Sequence, residues 1–240
     1  MKITVFNSSP RAERGNTHII TEAFLKGAKE AGADVEEIFL AKKRIGHCLG
    51  CFACWIKTPG ECVIKDDMKE LLQKLVASDV VIYATPLYVD NVSGIMKNFM
   101  DRSIPLADPH FEKDQNGQSR HVSRIKKKSS IGVIANSGFP EQGQFQVLKL
   151  LFKRIARNSH ADLVAEIYRG EGELLKVDTK DLRPVIDKYK KLLNKAGEEL
   201  VKNSKLSDET TKELEKPLVP YEDYFRMANA SWDGDLKKIS

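Results

Sequence analysis

No cysteine lies outside residues 48–62 of this 240-residue chain. A disulfide framework spreads its cysteines along the chain, so a window this narrow favours metal binding or redox chemistry instead. No apolar run approaches the ~18–20 residues that a membrane span needs, so no membrane association is expected. The opening MKITVFNSSP lacks the apolar stretch and cleavage site of a secretory leader, and a cytoplasmic protein is the expectation. There is no GxxxxGK[ST] and no GxGxxG, which excludes the Walker and dinucleotide fingerprints. The five histidines are scattered at no ligand spacing, no Ser-His-Asp constellation is visible, and no segment repeats. One sign of charge barely exceeds the other: 39 Lys+Arg against 34 Asp+Glu give +5, which suits an anionic cofactor and makes no case for nucleic acid. What remains, 41% hydrophobic and 30% charged residues, is an ordinary globular composition with enough chain for a substantial core.

Apolar patterning divides the chain into alternating elements. Lys2–Asn7 reads as a strand, and Thr17–Ala31 as a helix that Asn16 or Thr17 can cap and Gly32 stops. Ala33–Leu40 is a second strand. After the cysteine segment, 47–66, Asp66 or Asp67 caps a helix to about Ala77. Asp79–Ala84 (DVVIYA) is a continuous apolar run, as a central parallel strand covered on both faces requires. A short helix follows over Ser93–Arg102, then a polar insertion, 103–128, with no clear periodicity. Ser129–Ala135 is a fourth strand, Gln144–Asn158 a helix, Ala161–Ile167 a fifth strand and Asp181–Asn203 a long helix. The expected architecture is α/β: a three-layer, doubly wound, five-stranded parallel sheet over 1–203, with a polar tail at 204–240. Ligands of such sheets sit beyond the carboxyl ends of the strands, where strand order reverses.

Three segments follow strands at that end. Ser8-Ser9-Pro10-Arg11 through Gly15-Asn16-Thr17 enters a helix; its backbone N–H groups, hydroxyls and helix dipole, with Arg11 at the rim, suit a phosphate. A polar turn with a helix cap explains the same residues. Thr85-Pro86-Leu87-Tyr88 and Asn91-Val92-Ser93-Gly94 offer a stiffened turn and a flat tyrosine beside which an aromatic ring system could lie; a packed turn is the plainer account. Asn136-Ser137-Gly138-Phe139 allows close backbone approach at Gly138, or is simply a glycine-containing turn.

Cys48, Cys51, Cys54 and Cys62 have the spacing C-x2-C-x2-C-x7-C. Three closely stepped thiolates with a fourth returning after Pro59-Gly60 can wrap a cubane iron–sulfur cluster, whereas zinc usually takes two separated pairs. Buried thiols packing as small hydrophobes, or a redox-active thiol pair, stay open on these residues alone.

Taken together, N-S-S-P-R-x3-G-N-T at 7–17, C-L-G-C-F-A-C-x7-C-V-I-K-D-D-M at 48–68 and T-P-L-Y-V-D-N-V-S-G-I-M-K-N-F-M-D-R at 85–102 resemble the flavodoxin-like NAD(P)H-dependent FMN reductase family. Within it they resemble the iron–sulfur flavoprotein branch. The resemblance implies a flavodoxin-like fold with non-covalent FMN, its phosphate around Ser9, Arg11, Asn16 and Thr17. It puts the isoalloxazine ring on Pro86, Leu87, Tyr88 and Asn91, with Ser137 and Gly138 closing the third side. It also implies a 4Fe–4S cluster on Cys48, Cys51, Cys54 and Cys62, and NAD(P)H as cosubstrate. The expected function is transfer of electrons from a reduced donor, NAD(P)H or a ferredoxin, through FMN to an acceptor or the cluster, with no obligatory side-chain acid or base. A homodimer or homotetramer is implied, with the insertion and the tail as contacts. The alternatives are an FMN-containing quinone or small-molecule reductase without a cluster, a flavodoxin-like electron carrier, and a regulatory protein whose cysteines hold a structural metal.

Overall fold

In the computed structural model, which describes residues 1–238, seven strands and eight α-helices follow the apolar pattern of the chain. In chain order they are β1 (Lys2–Asn7), α1 (Asn16–Glu30), β2 (Asp34–Phe39), α2 (Ala53–Ile56), α3 (Met68–Ala77), β3 (Val80–Pro86) and α4 (Gly94–Asp101). There follow β4 (Ala107–Lys113), β5 (Ser119–Ser123), β6 (Ser130–Asn136), α5 (Gln146–Asn158), β7 (Asp162–Arg169), α6 (Arg183–Asn203), α7 (Asp208–Glu215) and α8 (Tyr221–Lys237). Five strands form one parallel sheet in the order β2-β1-β3-β6-β7, the flavodoxin-like order. The apolar run at Asp79–Ala84 is its central strand: all seven residues of β3 are buried.

Each face of the sheet has its own core. α1 and α6 cover one, with Ile20, Phe24, Ala28, Tyr189, Leu193 and Leu200 against Ile3, Val5, Ile82 and Ile134. α3, α4 and α5 cover the other, with Leu71, Leu75, Met96, Phe99, Leu148 and Phe152 against Phe6, Val81, Tyr83 and Val133. The α1–α6 contact is unusually close. A Cβ at Gly27 would lie 1.8 Å from the Asn194 carbonyl oxygen, and one at Gly197 would lie 2.0 Å from that of Phe24. Gly32, at φ +93°, ends the turn after α1 as expected.

Two regions differ from the sequence expectation. The insertion at 103–128 is a β-hairpin, β4 against β5, whose register shifts between Ala107 and Phe111. That irregularity and its half-exposed faces are why no alternation shows in the sequence. The tail from 204 holds α7 and α8, and its last two residues, 239 and 240, lie outside the described residues. α7 starts at a cap the sequence does contain: the Ser207 hydroxyl accepts the Thr210 N–H. No helix among the described residues is long and apolar enough to cross a membrane.

Candidate functional site

The first loop is built around one glycine. Chain leaving β1 is held by Asn7, whose Oδ1 accepts the Ser9 N–H at 2.9 Å while its Nδ2 donates to Glu37 at 2.7 Å. It then passes through a short 3-10 turn, Ala12–Arg14, into α1. Gly15 caps that helix, and a Cβ there would meet Ser9 Oγ at 2.2 Å, so only glycine fits. Neither Asn16 nor Thr17 is the cap, contrary to the sequence reading; both are the first residues inside the helix. Their side chains do other things. Thr17 Oγ1 accepts from Asn136 Nδ2 at 2.7 Å, tying this loop to the end of β6. Both polar atoms of the Asn16 amide are buried without a hydrogen-bond partner. A buried polar pair of that kind costs stability unless something else satisfies it.

The loops after β3 and β6 are fastened to that first loop. The Ser93 hydroxyl bonds to Ser8 Oγ at 2.9 Å and also caps α4 by accepting the Met96 N–H. Leu87 N–H reaches the Asn136 carbonyl at 2.8 Å. Tyr88 and Asn91 exchange both backbone hydrogen bonds, at 3.0 and 3.1 Å, around Val89 (φ +49°) and Asp90 (φ +57°). This is a type I′ geometry that ordinarily selects Asn or Gly, and a β-branched residue in it carries strain on the order of 1–3 kcal/mol. Ser137 donates its N–H to Arg169, and its hydroxyl accepts the Phe139 N–H at 3.0 Å.

Arg11, Leu87, Ser137 and Gly138 line one cavity of about 1010 Å³. Ser9, Asn16 and Thr17 are buried in the same loop as Arg11, and Pro86 is buried at the end of β3. Tyr88 and Asn91 form the adjoining turn without lining the cavity. Phe139, in the segment after β6, lines it too; sequence reasoning missed Glu173, from the 3-10 turn after β7, and Tyr224, Phe225 and Trp232 on α8. The aromatic residues of the tail were visible in the chain; what they face was not. α8 is anchored beside the cavity by the Tyr224 hydroxyl, which donates to the Gly138 carbonyl.

Cys48, Cys51, Cys54 and Cys62 ring a second, smaller cavity of about 50 Å³ together with Arg102. Cys54, on α2, is buried; Cys48 and Cys51 are exposed. Burial pushes the Cys54 thiol up, and the neighbouring Cys62 adds to it. Among the described residues no three His, Cys, Asp or Glu side chains converge as the ligands of one ion would. Beside the cysteines, Arg102 and Asp66 form a buried bidentate pair, at 2.7 and 3.0 Å. Asp66 also accepts the N–H groups of Gly46 and Met68, while Asp67 is the cap of α3 and makes no side-chain cap bond. Burial alone would raise the Asp66 carboxyl, but Arg102 and these two N–H groups outweigh it and hold it below its ordinary value. A depressed carboxyl contributes stability above its unfolded pKa and loses it as pH falls through the folded one. Melts of the wild type are therefore expected to lose stability progressively below about pH 4, and Asp66→Asn to remove that share of the acid limb. Equal acid slopes in the two proteins would refute the assignment.

A sequence model of the family described as NADPH-dependent FMN reductase matches residues 1–121, the half of the chain that holds the first loop, the four cysteines and the turn after β3. The chain belongs to that family. Among relatives of this FMN reductase family member, an iron-sulfur flavoprotein of Archaeoglobus fulgidus is 37% identical over 142 residues, 59% of this chain and 58% of that one. An iron-sulfur flavoprotein of Methanocaldococcus jannaschii is 41% identical over 106 residues, 44% and 53% of the two chains. The match thus spans between half and three fifths of these relatives. In fold, the chain is similar to an FMN-dependent NADH-azoreductase from Bacillus anthracis in complex with FMN, with a TM-score of 0.61 at 18% identity over 83% of this chain and 99% of that one. An NAD(P)H:quinone oxidoreductase from Methanothermobacter marburgensis aligns with a TM-score of 0.60 at 15% identity, over 83% of this chain and 96% of that one.

Proposed function

We propose that the protein is an FMN-dependent oxidoreductase that takes electrons from NAD(P)H or another reduced donor and passes them to an acceptor, with the four cysteines as ligands of a 4Fe–4S cluster. The observation that carries the flavin assignment is the Asn16 amide, buried and unpartnered at the start of α1, in one loop with Ser9 and the Arg11 guanidinium. A helix start with a free amide and an arginine is a site for a phosphate, and the adjoining cavity has room for a ring system. FMN fits these residues. When bound it would supply hydride and electron transfer, which no side chain here provides.

The chain's own residues then bind and orient. Arg11 and Asn16 would hold the phosphate, with Ser9 Oγ at the same loop; Thr17, locked to Asn136, keeps the helix start in place. Leu87, in the strained turn with Pro86, Tyr88 and Asn91, would bear on the ring from one side, and Ser137 with Gly138 from another. α8 would form the remaining wall through Tyr224, Phe225 and Trp232. The cluster reading rests on the donor set, four thiols lining one space. The names of the curated relatives support the same reading. Assembly as a dimer or tetramer in the cytoplasm belongs to this proposal, supported by exposed Trp232 and Leu236 on α8.

Arg11→Ala combined with Asn16→Ala is expected to weaken FMN binding by about 100-fold or more, since hydrogen bonds to a charged group are worth roughly 1.5–3 kcal/mol each and two are lost together. Riboflavin, which lacks the phosphate, should bind both proteins alike. Fluorescence titration checks this, and unchanged FMN affinity would end the phosphate assignment. NAD(P)H oxidation by the flavin-loaded protein separates the enzyme from a carrier.

A further inference from the structure

Among the described residues, the carboxylates that line the cavity are those of Asp90, Glu173 and Asp235, and only Glu173 bonds to Arg11. Glu173 stands on the 3-10 turn Gly172–Lys176, and its Oε1 accepts from Arg11 Nη2 at 3.1 Å. It lines the same cavity as Arg11. Its side chain is 58% exposed and that of Arg11 44%, so the ion pair itself adds little to stability. An anion is thus placed on the very guanidinium assigned to the phosphate. Nothing in the fold requires it there: the turn is held by backbone bonds, Leu174 N–H to Glu171 and Val177 N–H to Leu174.

We infer that Glu173 is a cofactor-affinity determinant, a built-in anion that competes with the FMN phosphate for Arg11 and makes the flavin more easily exchanged. The inference rests on the phosphate reading of this loop. The physical basis is charge counting. Arg11, Arg14 and Lys176 are the cations at this edge, Lys176 being anchored by its Nζ to the Arg14 carbonyl and facing both arginines. Glu173 cancels one of them. A phosphate arriving beside Arg11 meets a carboxylate a few ångströms away at a rim open enough for partial screening. Burial alone would raise the Glu173 carboxyl, but the nearby Asn16 amide and Arg11 hold it below its ordinary value, so it stays charged throughout the neutral range. The Asn16 amide makes no aligned bond to it, which leaves that amide available to a better-placed anion.

The test compares FMN with riboflavin on the wild type, Glu173→Gln and Glu173→Lys, by fluorescence titration at several salt concentrations. Glu173→Gln is expected to bind FMN about tenfold more tightly, mostly through slower release, with riboflavin affinity unchanged. Glu173→Lys should tighten FMN further and steepen its salt dependence. Unchanged FMN affinity in both variants overturns the inference. Weaker FMN binding also overturns it, because the carboxylate would then be holding Arg11 in its working position. If the wild type itself does not prefer FMN to riboflavin, the phosphate reading fails first, and that result is distinct from either outcome in the variants. The position is exposed, so thermal melts of all three proteins should coincide.

Discussion

Cys54→Ser protein purified without oxygen is expected to contain almost no iron, against about four irons per chain in the unaltered protein. The reasoning starts from burial. Of the four cysteines only Cys54 is buried, on the short helix α2, and it sits next to Cys62 in the ring around the small cavity. Burial and the neighbouring thiols oppose its ionisation, so a thiolate there needs a strong positive partner. Iron in a cluster supplies one, whereas Arg102 at the wall of the same cavity is already paired with Asp66. A serine hydroxyl does not ionise in that place and is a poor ligand for soft iron–sulfur chemistry. The broad visible absorbance of the cluster should vanish with the iron, while flavin content stays the same, because the two cavities share no lining residue. Four irons retained in the variant would remove Cys54 from the ligand set, and no iron in the unaltered protein would remove the cluster from the proposal and leave a plain FMN reductase.

The second large effect concerns the attachment of the tail. The Arg169 guanidinium is 1% exposed and donates through Nη2 to the carbonyls of Leu214 at 2.5 Å and Lys216 at 2.7 Å. It lies 4.5 Å over the Tyr189 ring and 4.0 Å from the Glu171 carboxylate. Glu171, fully buried, accepts the N–H groups of Leu218 and Val219. One buried ion pair therefore clasps residues 214–219, the strap that carries α8 to the cavity. Arg169→Met would leave the carboxylate buried without its cation and two carbonyls without donors. The expected loss is about 3–5 kcal/mol, since removing one partner of a buried pair costs that much. At roughly 2–4 °C per kcal/mol for a protein of this size, the melting temperature should fall by roughly 6–20 °C. Arg169→Met with Glu171→Gln should recover part of the loss, because no charge is then stranded. A single variant within about 1 °C of the wild type would mean that the strap is held by its apolar contacts alone.

The apolar run of β3, the helix stripes of α1 and α6 and the order of elements were enough to read the sheet, because burial on both faces leaves a strong local pattern. Boundaries moved by a few residues at the ends of α5 and α6. The site was legible where a loop follows a strand, hence Arg11, Leu87, Ser137 and Gly138. It was not legible at Glu173, which sits in a turn with no periodicity and gains its meaning only from Arg11, 162 residues earlier in the chain. The cap expected of Asn16 or Thr17 fell to Gly15 because Ser9 Oγ occupies the space a side chain would need. The tail read as polar and irregular because its order depends on Arg169 and Glu171, which are remote in sequence. α8 starts from Pro220.

The close crossing of α1 and α6 bears on how the protein is made. α1 begins at the loop after β1, and backbone-to-backbone contact at Gly27 and Gly197 seats it against a helix about 170 residues downstream. Closing so long a segment is entropically slow and happens only after the later helix exists. On the ribosome, with chain growing at about 5–20 residues per second, the first loop is synthesised early yet stays without its support for roughly ten seconds or more. The cysteine segment, complete by residue 62, emerges long before α6 does. A nascent chain thus presents its thiols well before its first loop has a rigid base, so the two regions become ordered at different stages of synthesis.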